Sequence, residues 1–200
     1  MATDDLPELI VDDAGGWRAW LEANHDRSSG VWLVQAKKGT VDPTSLTYAQ
    51  AVDEALCFGW IDGRRVGHDD ATFRQRYTPR RATSPWSKRN VGNVERLTVD
   101  GRMHEAGLAE VERAKADGRW DAAYSGQADS EVPPDLAAAL DAEPRAAAMF
   151  AILTRGNRYS ILYRLETAKR AETRARRLDQ LVAMLARGET IHPQKRTLET

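Results

Sequence analysis

Residues Cys57 to Asn90 read CFGWIDGRRVGHDDATFRQRYTPRRATSPWSKRN. This stretch decides the fold, because it holds the clearest hairpin in the chain. Trp60 to Val66 forms the first arm, Thr72 to Arg80 the second, and Gly67-His68-Asp69-Asp70-Ala71 the tip. Along the second arm Phe73, Gln75 and Tyr77 alternate with Arg74, Arg76, Thr78 and Arg80, so one face is apolar and the other cationic. A tip centred on Asp69 pairs Arg64 with Arg74 and Asp62 with Arg76. A slip of one residue would change these partners but keep the arginine face.

Upstream, Asp13 to Asn24 has Trp17, Trp20 and Leu21 on one helical stripe. Val31 to Ala36 is a short apolar run, read as a strand covered on both faces. Thr47 followed by Gln50 has the spacing of a capping box, and Tyr48, Val52, Ala55 and Leu56 share one face of the helix it opens, which Gly59 stops. Downstream, helices are expected over Lys88–Val99 and His104–Ala116. Ser125 to Pro134 mixes Gly, Ser, Asp and two prolines and reads as a boundary. Helices follow from Asp135 and Pro144, then Gly156-Asn157 as a turn, a helix marked by Ile161, Leu165 and Ala168, and a last one marked by Leu178, Leu181, Val182 and Leu185.

The expected fold class is α+β. A small, mostly antiparallel sheet, made of one central strand plus the hairpin, is packed by helices and followed by a helical C-terminal subdomain. The expected division is an acidic mobile leader over 1–12, an α+β core over 13–124, a linker over 125–134, a helical domain over 135–188 and a mobile tail over 189–200.

Charge is unevenly spread over a chain of net charge −1. Residues 61–89 hold eight bases against three acids, and residues 155–187 nine against three. Residues 95–143 hold five bases against twelve acids. A near-neutral total argues against a general nucleic-acid coat protein. The single cysteine excludes an internal disulfide and fits a reducing compartment. The acidic start is read as no export signal, and no apolar run approaches the roughly twenty residues of a membrane-spanning helix. The expected location is cytoplasmic, as a monomer or weak homodimer, with no membrane insertion.

Certain residues together resemble the bacteriocin-protection, or OmpD-associated (YdeI-like), bacterial proteins. These are Leu46-Thr47-Tyr48, Glu54 through Gly63, Tyr77 through Arg81, Ser84 through Asn90, Gly101-Arg102-Met103, Asp117 through Trp120, Ala168-Lys169-Arg170 and Glu172-Thr173-Arg174. The resemblance spans about Val11 to Gly188. It implies an α+β core with a small helical C-terminal domain, a role in stress or bacteriocin protection, and association with an outer-membrane porin. It supplies no catalytic set.

The four histidines are too far apart in sequence for a metal site, and no phosphate-binding, dinucleotide-binding or nucleophile-elbow motif is present, so no catalytic residue, metal or cofactor is assigned. Cys57 reads as a packing residue at a helix C-terminus, where the dipole disfavours a thiolate. Asp62 reads as an ion-pair anchor for Arg76. The candidate ligand site is Trp60, Asp62, Arg64, Arg76, Arg80, Arg81, Trp86 and Ser87. Its guanidinium groups suit phosphate or carboxylate oxygens, the tryptophans shape a wall, and the Ser84–Ser87 turn adds backbone donors. The favoured function is a non-catalytic protein that binds a small anion or an acidic partner. The alternatives are a nucleic-acid-associated protein using the same face, and an enzyme of unrecognised chemistry.

Overall fold

The computed structural model describes residues 5–198, so residues 1–4 of the leader and 199–200 of the tail lie outside it. The chain divides into two compact units, one ending at Ala123 and one starting at Tyr124.

The first unit is α+β. Its elements are β1 (Glu8–Leu9), α1 (Ala14–Asn24), β2 (Val31–Ala36), α2 (Tyr48–Cys57), β3 (Trp60–Gly67), β4 (Thr72–Pro79), α3 (Lys88–Val99) and α4 (Glu105–Ala116). The strands lie in the order β1-β2-β4-β3. β2 and β3 both run antiparallel to β4, while β1 runs parallel to β2. The sheet is therefore mixed, because Glu8 and Leu9, assigned by sequence to the leader, pair with Trp32 and Leu33.

Local signals explain the helix starts. Asp13 caps α1 by accepting from the Gly16 amide at 3.0 Å. Thr47 and Gln50 form the reciprocal capping box of α2, and Ser87 accepts from the Asn90 amide to cap α3. β2 is buried at every position, as its unbroken apolar run requires. Its Val31 and Leu33, opposite Tyr77 and Gln75, join a core with Trp17, Leu21, Val52, Leu56, Trp60 and Leu97. Trp17 sits at the centre of this core. It is fully buried, its indole N–H donates to the Ala51 carbonyl, and its rings meet Trp20, Trp60 and Tyr77.

The hairpin register differs from the sequence expectation. Asp62 faces Tyr77 and Arg65 faces Gln75, so β3 carries one extra residue at Gly63-Arg64. Gly63 permits this bulge: a Cβ there would stand 3.2 Å from Nε of Arg76, whose side chain lies across it. Val66, rather than Arg64, then faces Arg74. At the tip, Asp69 Oδ1 accepts from the Ala71 and Thr72 amides. Bonds from Thr72, first its hydroxyl and then its amide, hold the Asp69 carboxyl down at about 2. A depressed folded value means that the tip is fully ordered above the ordinary carboxylate range, near 4, and loosens as pH falls through 2. In a pH series of amide spectra the Ala71 and Thr72 signals should move with a midpoint near 2; a midpoint near 4 contradicts the assignment.

The second unit is helical: α5 (Pro134–Ala142), α6 (Pro144–Ala151), α7 (Arg155–Glu166) and α8 (Ala171–Ala186). Pro134 and Pro144 each occupy a first helical turn, where a missing N–H costs nothing. Gly156-Asn157 is not a turn but the start of α7, because Thr154 accepts from the Asn157 amide and caps the helix there. Ala168 falls beyond its end. The stretch expected as a linker is fastened within this unit, since Ser125 donates through N and Oγ to Glu166. Described tail residues are held as well: the His192 amide donates to Asn157 Oδ1, and the Thr154 amide to Gln194 Oε1. Leu136, Met149, Phe150, Ile161, Leu165, Leu181 and Leu185 form a separate core.

Candidate functional site

β4 carries Arg74 and Arg76 on the face opposite Phe73, Gln75 and Tyr77, as the alternation dictates. Across the ladder these arginines face Val34 and Trp32 of β2. Two grooves open on this face. The larger, about 610 Å³, is lined by Asp62, Arg76, Arg80 and Arg81, with Leu6, Ser29, Ile61, Thr78 and Ser84 among the rest of its wall. The smaller, about 330 Å³, is lined by Arg64, Arg74, Leu6, Trp32, Val66 and Gly67.

Four of the eight residues proposed from sequence therefore line one groove: Asp62, Arg76, Arg80 and Arg81. Arg64 lines its neighbour. The other three are elsewhere. Trp60 is 1% exposed and donates its indole N–H to the His25 carbonyl, so it is a core anchor and no wall. Trp86 is buried against Trp120 with the Arg80 guanidinium 3.6 Å above its ring. Ser87 is used as a helix cap.

Asp62 does not pair with Arg76. The bulge turns its carboxylate to the side of Tyr77 and Gln75, where Oδ2 accepts from the Tyr48 hydroxyl at 3.1 Å and from Gln75 Nε2 at 2.9 Å. Arg76 consequently keeps no carboxylate: its Nε is buried without a hydrogen-bond partner, and Arg64, Arg65, Arg76 and Arg81 make no ion pair among the described residues. Arg74 differs, because Glu8 of β1 meets it at 2.9 Å. The other cations near the core are also occupied: Arg18 and Arg102 both meet the buried Glu54, and Arg96 meets Asp53. The acidic 95–143 block thus leaves the hairpin guanidiniums Arg64, Arg65, Arg76 and Arg81 unneutralised.

One residue that sequence reasoning missed shapes the larger groove. Arg119, 8% exposed, donates through Nη1 to the Ser84 carbonyl and through Nε to Asp117. With the Arg81 amide bonded to Ser84 Oγ and the Ser84 amide to the Arg81 carbonyl, this fixes the turn that presents Arg81. The only sequence signal was the Asp-Gly-Arg-Trp run of 117–120, which says nothing of a contact 35 residues away.

Nucleophile chemistry finds no support at Cys57. It is fully buried, and burial followed by the Glu54 carboxylate pushes its thiol above the ordinary value. Among the described residues no group of His, Cys, Asp and Glu could hold a metal ion, and no helix is long and apolar enough to cross a membrane.

Residues 9–110 match the family model described as a domain of unknown function (DUF8412). Residues 129–188 match the model described as bacteriocin-protection, YdeI or OmpD-associated. The family resemblance seen in the sequence is thus placed on the helical second unit, while the Cys57–Gly63 stretch lies within the first match. No curated protein and no solved structure matches the chain.

Proposed function

We propose that this chain, which belongs to the DUF8412 family over its first half and to the bacteriocin-protection, YdeI or OmpD-associated family over its last helices, is a non-catalytic protection-type protein that works by binding an anion in the larger arginine groove. One observation supports this reading above others: Arg76, half-buried with its Nε unpartnered, shares a groove with Arg81, and neither meets a carboxylate. A guanidinium in that state gains charge-assisted hydrogen bonds from an incoming phosphate or carboxylate without first breaking an internal pair. Arg80, stacked on Trp86, and Arg119, bonded to Ser84, position the groove wall. The second unit carries the bacteriocin-protection, YdeI or OmpD-associated match, and in this reading the first supplies the binding surface. A cytoplasmic location is part of this reading, and the buried free Cys57 is compatible with it.

Isothermal titration of the full chain with orthophosphate tests this. Arg81→Ala, an exposed change that leaves the fold intact, and Arg76→Ala should each weaken binding about tenfold, the worth of one charge-assisted hydrogen bond. Unchanged affinity in both variants overturns the assignment.

A further inference from the structure

The two grooves lie on one sheet face and share a wall residue, Leu6. Arg76 opens into the first and Arg74 into the second. These arginines are two apart on one strand and so about 7 Å apart at the backbone, side by side on the same face. Each groove has a further exposed guanidinium, Arg81 in one and Arg64 in the other, and the first is also lined by Arg80, which stacks on Trp86. Guanidiniums grouped in this way suit phosphoryl groups, which offer several anionic oxygens at once.

Arg74, on the wall of the second groove, already meets one anion. Glu8 sets its carboxylate on Arg74 at 2.9 Å, with its other oxygen 3.5 Å from the His68 ring. Glu8 belongs to a strand of two residues, and both it and Arg74 are more than a third exposed. Such an ion pair contributes little to stability and is readily exchanged. A more highly charged anion reaching Arg74 would compete with this carboxylate.

We infer that the ligand is a linear oligophosphate, one terminal phosphate held by Arg76 and Arg81 and the chain continuing over Leu6 to Arg64 and Arg74, from which it displaces Glu8. This rests on the anion-binding reading above and adds the ligand's class and direction. A single phosphate occupies one groove, whereas a chain of three or more spans both.

Titrations with orthophosphate, tripolyphosphate, tetrapolyphosphate and a short oligothymidylate, at fixed ionic strength, test the inference. Tripolyphosphate should bind at least about tenfold more tightly than orthophosphate, because a second pair of guanidiniums engages it. Arg64→Ala should collapse that ratio towards one, and Glu8→Gln should raise it by removing the competitor. A ratio near one in the native chain, a ratio that survives Arg64→Ala, or tighter binding of oligothymidylate than of tetrapolyphosphate each overturns the oligophosphate assignment while leaving anion binding intact. Failure of every phosphate to bind overturns both.

Discussion

Replacement of Trp17 by alanine is expected to destabilise the first unit by about 3–5 kcal/mol, the range for deleting a fully buried large aromatic. Trp17 has no exposed surface, and three aromatic neighbours lie with ring centres within 6.2 Å. Its removal leaves a cavity between α1, α2 and the sheet, and it removes the indole bond to the Ala51 carbonyl, an oxygen that keeps its helical partner within α2. Trp17→Phe separates the two losses: it keeps most of the volume and costs about 1–3 kcal/mol for the lost hydrogen bond and the residual void. Urea denaturation followed by circular dichroism reads both. At a slope of about 2 kcal/mol per molar, the alanine variant's midpoint should drop by roughly 2 M. A drop below about 0.5 M would show that Trp17 is no keystone of this core.

Gly107 carries the second large effect. On α4 it faces the C-terminal end of α2, and a Cβ there would lie 2.2 Å from the Cys57 carbonyl oxygen and 2.9 Å from that of Leu56. Both obstacles are backbone, which no rotamer change can remove. The His104 amide donates to the same Cys57 carbonyl at 3.0 Å, so moving α4 away also breaks a bond at its own first turn. Gly107→Ala should therefore cost about 3 kcal/mol, at the upper end of overpacking, despite alanine's better helix propensity. Gly92 in α3 is the control: it is exposed with nothing within 4 Å of a new Cβ, so Gly92→Ala should stabilise by about 0.5–1 kcal/mol. Thermal melts of the two variants should shift in opposite directions. A stabilised Gly107→Ala protein would refute the close approach of α4 to α2.

The contrast between these glycines also marks how far the sequence could be read. Signals local in the chain were legible. The alternation of Thr72–Pro79, the Thr47–Gln50 box and the prolines at 134 and 144 act over two to four residues, and the structure realises each. Long-range placements were not. Gly107 looks like any helical glycine until α2 is packed against it. Sequence reasoning places Trp60 and Trp86 on the wall of the site although they also fit as core anchors, because side-chain type does not reveal which face a neighbouring helix will cover. β1 is two residues long and has no period to detect.

The site followed the same division. An arginine face on β4 survived the register error, since alternation depends on the strand alone. The partner of Asp62 did not survive it. One extra residue at Gly63-Arg64 moves the carboxylate from Arg76 to Gln75 and Tyr48, and that shift is what leaves Arg76 without a counter-ion. The bulge thus leaves Arg76, which the sequence paired with Asp62, as the arginine on which the proposed anion binding depends.

The most direct measurement follows the arginine Nε–Hε signals of the isotope-labelled full chain by NMR during titration with tripolyphosphate. Arg76 and Arg81 should shift and saturate together, while Arg96, held by Asp53, stays in place. Signals of Arg76 and Arg81 that never move, or that move no more than that of Arg96, would contradict the account.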